Sequence, residues 1–296
     1  MIEKNTPSRI IFNIFNYGFM ILLCIACVAP IWHVLMASVS NPRMLMQQTG
    51  ILWLPAGDIT FQGYALVFKN DALLRGYLNT FIYVGTTTVI GTSLTALAGF
   101  VLSRPNMKLK QFFTVMILFT MMFGGGLIPS YMVNRSLGLV NNPLGVILPG
   151  VINAFYIIIM KNAFEQLPSS FEESAKLDGA GPLTIMIRIL LPLVVATVAV
   201  IVMFNIVMQW NSWFSASIYL PKRRDLWPLQ LLMREILVQN DTTRIVTSGD
   251  ALKKADMVSN LVKYCVTVIG TLPILCAYPF AQKYFVTGIT LGGVKG

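Results

Sequence analysis

Charged side chains are scarce in this chain. Only 11% of its 296 residues are Asp, Glu, Lys or Arg, against 55% hydrophobic. A soluble domain carries about 25% charged residues. Mean hydropathy is +0.69. These values exclude an ordinary water-soluble domain and point to an all-α polytopic membrane protein.

Histidine occurs once, at His33, near a helix end, where it reads as a structurally satisfied residue rather than a ligand. With a single histidine, no Ser/His/Asp or Cys/His constellation is available, and the chain is not expected to be an enzyme. Cysteine occurs four times, at Cys24, Cys27, Cys265 and Cys276, always in an apolar run. Cys24 and Cys27 form a C-x-x-C without a second ligand pair. They read as small hydrophobes, and no metal site is expected. No G-x-x-x-x-G-K-[ST] loop is present, so the chain has no recognisable ATP site of its own.

The net charge is +10 and the pI about 9.6. No basic-and-aromatic stripe for nucleic acid accompanies that charge. It fits anionic headgroups and the Lys/Arg flanks of membrane spans, so lipid is an expected partner and nucleic acid is not. The basic-then-apolar start, MIEKNTPSRIIFNIFNYGFMILLCIACVAPIW, resembles a signal peptide. Its apolar run is too long, and no A-x-A-type cleavage site follows, so it is expected to be a retained first span.

A bilayer crossing needs about 20 mainly apolar residues. Six segments meet that length: about 14–37, 77–102, 112–131, 144–160, 189–213 and 264–281. They are expected to form one transmembrane domain over residues 1–296. None of the six contains Asp, Glu, Lys or Arg. Proton and cation relays use such groups, so their absence argues against a stand-alone secondary carrier. A sodium site built from carbonyls keeps that alternative, or a channel, open.

Six spans put both termini on one side. That side holds Lys4, Arg9, Arg104, Lys108, Lys110, Lys161, Lys176, Arg188, Lys283 and Lys295; the two earlier loops opposite hold Arg43, Lys69, Arg75 and Arg135. The positive-inside rule places the termini in the cytoplasm. The last outer segment, 214–263, holds eight Lys/Arg and cuts the other way, but it is near the length where the rule weakens. It also holds Asp225, Glu235, Asp241, Asp250 and Asp256. Its excess of bases, with Arg135 nearby, favours an acidic cargo or an acidic docking partner. In the first outer segment, Thr60 is expected to cap a short interfacial helix starting at Phe61.

The stretch PSSFEESAKLDGAGP, 168–182, breaks the apolar pattern. Its charges would cost on the order of 10 kcal/mol in lipid, so it lies in water or against protein. Pro168 ends the preceding element. Ser170 and Glu173 have capping-box spacing, with Phe171 starting a helix. Gly179 or Gly181 is suited to end it in the left-handed conformation, and Pro182 to begin the next. Ser174 and Ala175 are expected to form a small-residue surface open to another backbone.

This run is similar to the EAA motif of ABC-importer permeases: E-A-A, three residues, G, nine residues, then I-x-L-P. Glu173-Ser174-Ala175, Gly179, Ile189, Leu191 and Pro192 fall at those spacings, with Ser174 in place of the usual alanine. MQWNSWFSASIYLP resembles the W-N-x-[FW] segment of carbohydrate permeases. VTGITLGGVKG resembles the tail of the maltose-type G subunit, with Leu291 a departure. FGGGLIPSYMVNRSLGLVNNP is similar to the polysaccharide-uptake subgroup.

The resemblance implies a type I ABC-importer permease fold in a bacterial inner membrane, with cytoplasmic coupling helices. It implies a heterodimeric pore with a sister permease, a homodimeric ATPase that holds ATP and Mg, and an extracytoplasmic solute-binding protein or lipoprotein. The implied cargo is an oligosaccharide. It assigns ATPase coupling to Glu173, Ser174, Ala175, Asp178, Gly179 and Ala180, and an ATPase-contacting tail to Gly292, Gly293, Lys295 and Gly296. No cofactor is expected on this chain. Asn79, Asn153, Asn205, Gln209 and Asn211 are candidates for hydrogen-bonding sugar hydroxyls along the pore; interhelical bonding is the competing role.

Overall fold

The computed structural model describes residues 7–238 and 252–293. Among these residues every regular element is helical: α1 (Pro7–Ser38), α2 (Pro42–Gln47), α3 (Gln62–Phe68), α4 (Asp71–Ser103), α5 (Lys110–Met122), α6 (Leu127–Ser136), α7 (Leu144–Val151), α8 (Ala154–Glu165), α9 (Ser170–Leu177), α10 (Pro182–Thr184), α11 (Leu191–Leu193), α12 (Val195–Trp210), α13 (Phe214–Tyr219), α14 (Leu229–Val238) and α15 (Leu252–Gly293). A π-helical stretch, Ile185–Leu190, joins α10 to α11.

Three stretches are single helices long and apolar enough to cross a membrane: α1, α4 and Val258–Ala277 within α15. Three bent pairs qualify if each is one span: α5 with α6 at 113°, α7 with α8 at 41°, and Pro182–Leu193 with α12 at 87°. The stretch 112–131 is therefore not one straight helix. Gly124, Gly125 and Gly126 interrupt it, and Gly126 sits at φ 81°, ψ 172°, a region essentially reserved for glycine. The 87° bend follows Pro192, which cannot donate the helical hydrogen bond its position calls for.

The chain divides into two compact units, Met1–Asp71 with Glu235–Thr271, and Ala72–Arg234 with Leu272–Gly296. In the first, α1 presents apolar side chains such as Ile11, Phe15 and Leu22 outward. Such a surface suits lipid and would aggregate in water. The Asn41 side chain caps α2, accepting from the Arg43 amide at 3.1 Å. Helix α3 begins at Gln62, one residue later than the sequence suggests, and the Thr60 hydroxyl accepts from the Gln62 amide at 3.3 Å. Gly63 lets α3 approach α15 closely: a Cβ there would lie 2.6 Å from Cys265 Sγ. The Cys265 thiol donates to the Ser38 carbonyl, and the Ser38 and Tyr64 hydroxyls bond at 2.7 Å. His33 Nδ1 accepts from the Leu52 amide at 3.0 Å.

The second unit is built around α4. Gly91 allows the Val151 carbonyl to come within 2.5 Å of where a Cβ would sit, and Gly99 admits Met160 in the same way. One core joins Ala96, Phe100, Tyr156, Met160, Phe164, Ala175, Ile185 and Ile201. Another joins Tyr83, Val146, Ile147, Val151, Ala216, Leu220 and Leu231. No residue of α5 is buried.

Candidate functional site

Helix α9 starts at Ser170, with Ser169 before it in helical conformation. The expected capping box is absent. The Glu173 amide, which Ser170 would have capped, is already bonded to the Ser169 carbonyl at 3.0 Å. Because the backbone enters the helix before Ser170, that residue sits inside it, and no side chain caps the N-terminus. Glu172 and Glu173 still lie in the first turn, where the helix dipole favours carboxylates.

The C-terminus is a Schellman motif. Gly179 takes φ 78°, its amide bonds the Lys176 carbonyl at 3.0 Å, and the Ala180 amide bonds the Ala175 carbonyl at 2.9 Å. Gly181 stays extended at φ −73°, and Pro182 follows as the first residue of α10. Ala175 does not join Ser174 on an open surface. It is buried in the α4–α8 core, one turn from exposed Phe171 and Asp178. The exposed face carries Glu173, Ser174 and Asp178, with Leu177 90% exposed.

An electrostatic frame holds this helix. Glu172 accepts from Arg104, at the end of α4, and pairs with Lys176 at 2.9 Å. Glu165 pairs with Lys110 at 2.7 Å and Lys161 at 2.8 Å. Arg104 is further anchored by Nη2 to the Ser103 hydroxyl at 2.8 Å, and its guanidinium lies over the Phe100 ring at 4.7 Å. Partial burial lowers the Arg104 pKa and the Glu165 charge works against that fall, so the guanidinium stays charged. Between the 104–107 loop and α9 lies an open cavity of about 670 Å³.

A second cavity, about 280 Å³, lies beside the break between α7 and α8. Asn153, Asn205 and Gln209 all line it, with Thr87, Tyr156 and Ser212. Asn153 also caps α8, its Oδ1 accepting from the Phe155 amide at 2.9 Å. Asn205 Nδ2 donates to Thr92 Oγ1 at 3.4 Å. The buried Thr87 hydroxyl has no hydrogen-bond partner among the described residues. Donors and acceptors thus converge on a space large enough for water or part of a hydroxylated ligand.

Two other amides lie elsewhere. Asn79 Nδ2 donates to the Asp225 and Trp227 carbonyls, at 2.9 and 3.1 Å, and fixes the 225–227 turn. Asn211 Nδ2 donates to the Val207 carbonyl at 2.8 Å on an exposed helix end. Gly292 and Gly293 close α15, while Lys295 and Gly296 lie outside the described residues.

Residues 76–291 match the family of the binding-protein-dependent transport system inner membrane component. The chain belongs to this family. It is a transport permease component and a bacterial membrane protein, and a stand-alone carrier or channel is not favoured. This permease is 36% identical over 292 residues to the polygalacturonan/rhamnogalacturonan transport system permease protein YtcP of Bacillus subtilis (strain 168), covering 97% of this chain and 99% of the relative. It is 34% identical over 296 residues to Protein LplC of the same organism, covering 99% and 97%. A crystal structure of a bacterial ABC transporter involved in the import of the acidic polysaccharide alginate matches it with a TM-score of 0.85 and 28% identity, over 96% of this chain and 99% of that one. The permease has the type I importer fold, and its family works with an ATPase and a solute-binding protein.

Sequence reasoning did not single out Arg104, Glu172 or Thr87, which the structure places at the two candidate sites. Arg104 and Glu172 lie 68 positions apart, and no local spacing signals their pairing. Thr87 was legible only as one of several threonines in an apolar run.

Proposed function

We propose that this permease forms one half of a heterodimeric pore that imports oligosaccharides, acidic glycan fragments among them. All 296 residues serve as one permease domain, with both termini in the cytoplasm. A homodimeric ATPase carries ATP and Mg below the pore, and this chain binds neither. An extracytoplasmic binding protein or lipoprotein delivers the cargo.

The observation that carries the coupling part is α9: a short helix, capped at its C-terminus, whose inner residue is locked into the core while Leu177 projects into solvent. Glu173, Ser174, Asp178, Gly179 and Ala180 form the joint with the ATPase, the inward Ala175 anchors it, and the tail through Gly292 reaches the same interface. Closure of the ATPase dimer pushes α9, and α9 transmits the push to the spans packed on it. The pore then switches between inward- and outward-facing states as a rigid-body change. The cavity of Asn153, Asn205 and Gln209 supports a role for these amides in bonding sugar hydroxyls on the path.

Whole-length likeness to a permease named for polygalacturonan and rhamnogalacturonan supports the acidic cargo, as does fold likeness to an alginate importer. The test uses cells carrying Ser174→Cys in an otherwise cysteine-free chain, with a cysteine on the ATPase. Crosslinking to the ATPase and uptake of galacturonate oligomers over neutral ones are expected. No crosslink refutes the docking face, and strict preference for neutral sugars refutes the acidic cargo.

A further inference from the structure

The ion pairs around α9 do different jobs, although they look alike as charge counts. Lys176 and Glu172 are four residues apart on the same helix, and their pair adds support only within it. Arg104 and Glu172 join α9 to the end of α4. Both partners are largely withdrawn from water, at 20% and 18% side-chain exposure, whereas Lys176 is 57% exposed. Withdrawn charge-assisted bonds are stronger and less screened than exposed ones.

Arg104 is itself held rigidly. Its Nε donates to the Phe100 carbonyl at 3.3 Å and to the Ser103 hydroxyl at 3.1 Å, and Nη2 bonds the same hydroxyl. The Ser103 hydroxyl in turn donates to the Phe100 carbonyl at 2.7 Å. The loop that follows ends at Leu109, a non-glycine residue at φ 60°, ψ 22°. A left-handed leucine is unfavourable and persists only where its surroundings impose it. Directly after it, Lys110 bonds Glu165 and reaches the Ser103 carbonyl at 3.5 Å. The loop is therefore fastened at both ends, to α9 through Glu172 and to the end of α8 through Glu165.

We infer that Arg104 is a positioning residue for energy coupling, a latch that acts through Glu172 to make α9 and the cytoplasmic end of α4 move as one piece. Apolar packing of Ala175 alone holds α9 by a single small side chain, which would let the helix pivot under load. The fork of Arg104 removes that pivot. Lys cannot reproduce the arrangement, because one ammonium cannot hold Glu172, the Ser103 hydroxyl and the Phe100 carbonyl in a fixed plane. This inference rests on the reading of α9 as the ATPase joint.

The test is made on the complete transporter in proteoliposomes, with its sister permease, ATPase and binding protein. The measured quantity is ATP hydrolysed per cargo molecule delivered. Arg104→Met and Glu172→Gln are each expected to raise it about tenfold, the factor that loss of a charge-assisted bond implies. Lys176→Ala is expected to change it less than about twofold, as loss of an exposed intrahelical pair does. Arg104→Lys should fall between them. An unchanged ratio in Glu172→Gln overturns the latch, and so does an equal rise in Lys176→Ala. If Arg104→Met does not assemble, Glu172→Gln decides alone, since it keeps the other Arg104 anchors. The Ser174→Cys crosslink, repeated in each variant, separates the two readings. Its absence in the parent chain refutes the α9 joint, whereas its retention with an unchanged ratio refutes only the latch.

Discussion

Gly179 and Gly181 stand two residues apart at the end of α9, and substituting each with alanine separates backbone conformation from packing. A Cβ at either position meets nothing within 4 Å, so neither alanine is obstructed. They differ in φ: 78° at Gly179 and −73° at Gly181. An L-residue held left-handed costs about 1–2 kcal/mol. Alanine at a compatible glycine site stabilises by about 0.4–1 kcal/mol through the unfolded chain. The two variants should therefore differ by roughly 1.5–3 kcal/mol, about 10- to 150-fold in the opening equilibrium of the α9 cap. What opens is defined: the bonds from the Gly179 and Ala180 amides to Lys176 and Ala175. Hydrogen exchange at those two amides measures the opening directly, and ATP-driven uptake measures its consequence. Gly179→Ala should exchange faster and transport less, while Gly181→Ala should match or exceed the parent chain on both. Equal behaviour of the two variants would refute the assignment of Gly179 to a left-handed cap.

Two further outcomes test the packing of each unit. Asn79→Leu leaves the Asp225 and Trp227 carbonyls without their shared donor and should cost about 1–3 kcal/mol. Asn211→Ala, at an exposed helix end, should stay within about 0.5 kcal/mol; thermal unfolding in detergent compares them, and equal losses would contradict the buried role of Asn79. Gly63→Ala drives a methyl to within 2.6 Å of Cys265 Sγ and should destabilise by about 1–3 kcal/mol. Adding Cys265→Ala removes the nearest clash but leaves Leu261 Cγ at 3.0 Å, so it should restore part of that loss, and a purely additive double variant would show that the two residues do not touch.

Much of the architecture was legible in the chain because its signals are local. Apolar length marked the stretches able to span a membrane, since about 20 residues are needed to cross hydrocarbon. The pair Gly179 and Gly181 marked where one helix ends and Pro182 where the next begins, because left-handed φ and a missing amide hydrogen are properties of single residues; only the structure chose Gly179 over Gly181. The motif spacing from Glu173 to Pro192 carries the resemblance to the family by itself, because it lies within one continuous stretch of chain.

Other features waited for tertiary structure. Ser170 has the spacing of a cap, yet the Ser169 carbonyl takes the Glu173 amide first. Ala175 matches an open small-residue surface in sequence, yet the core takes it and leaves Leu177 outside. Asn79, Asn153, Asn205, Gln209 and Asn211 are equivalent as letters. Folding sends Asn79 to backbone carbonyls and Asn211 to a helix end, and gathers the other three around one cavity. Composition and periodicity report what a residue prefers in its own few turns. Whether it meets a charge 68 positions away, as Arg104 meets Glu172, depends on the bends that bring distant helices together. The sequence alone thus determined a helical membrane permease with a polar joint closed by a glycine turn. The three-dimensional packing decided which face of that joint is free and what holds it in place.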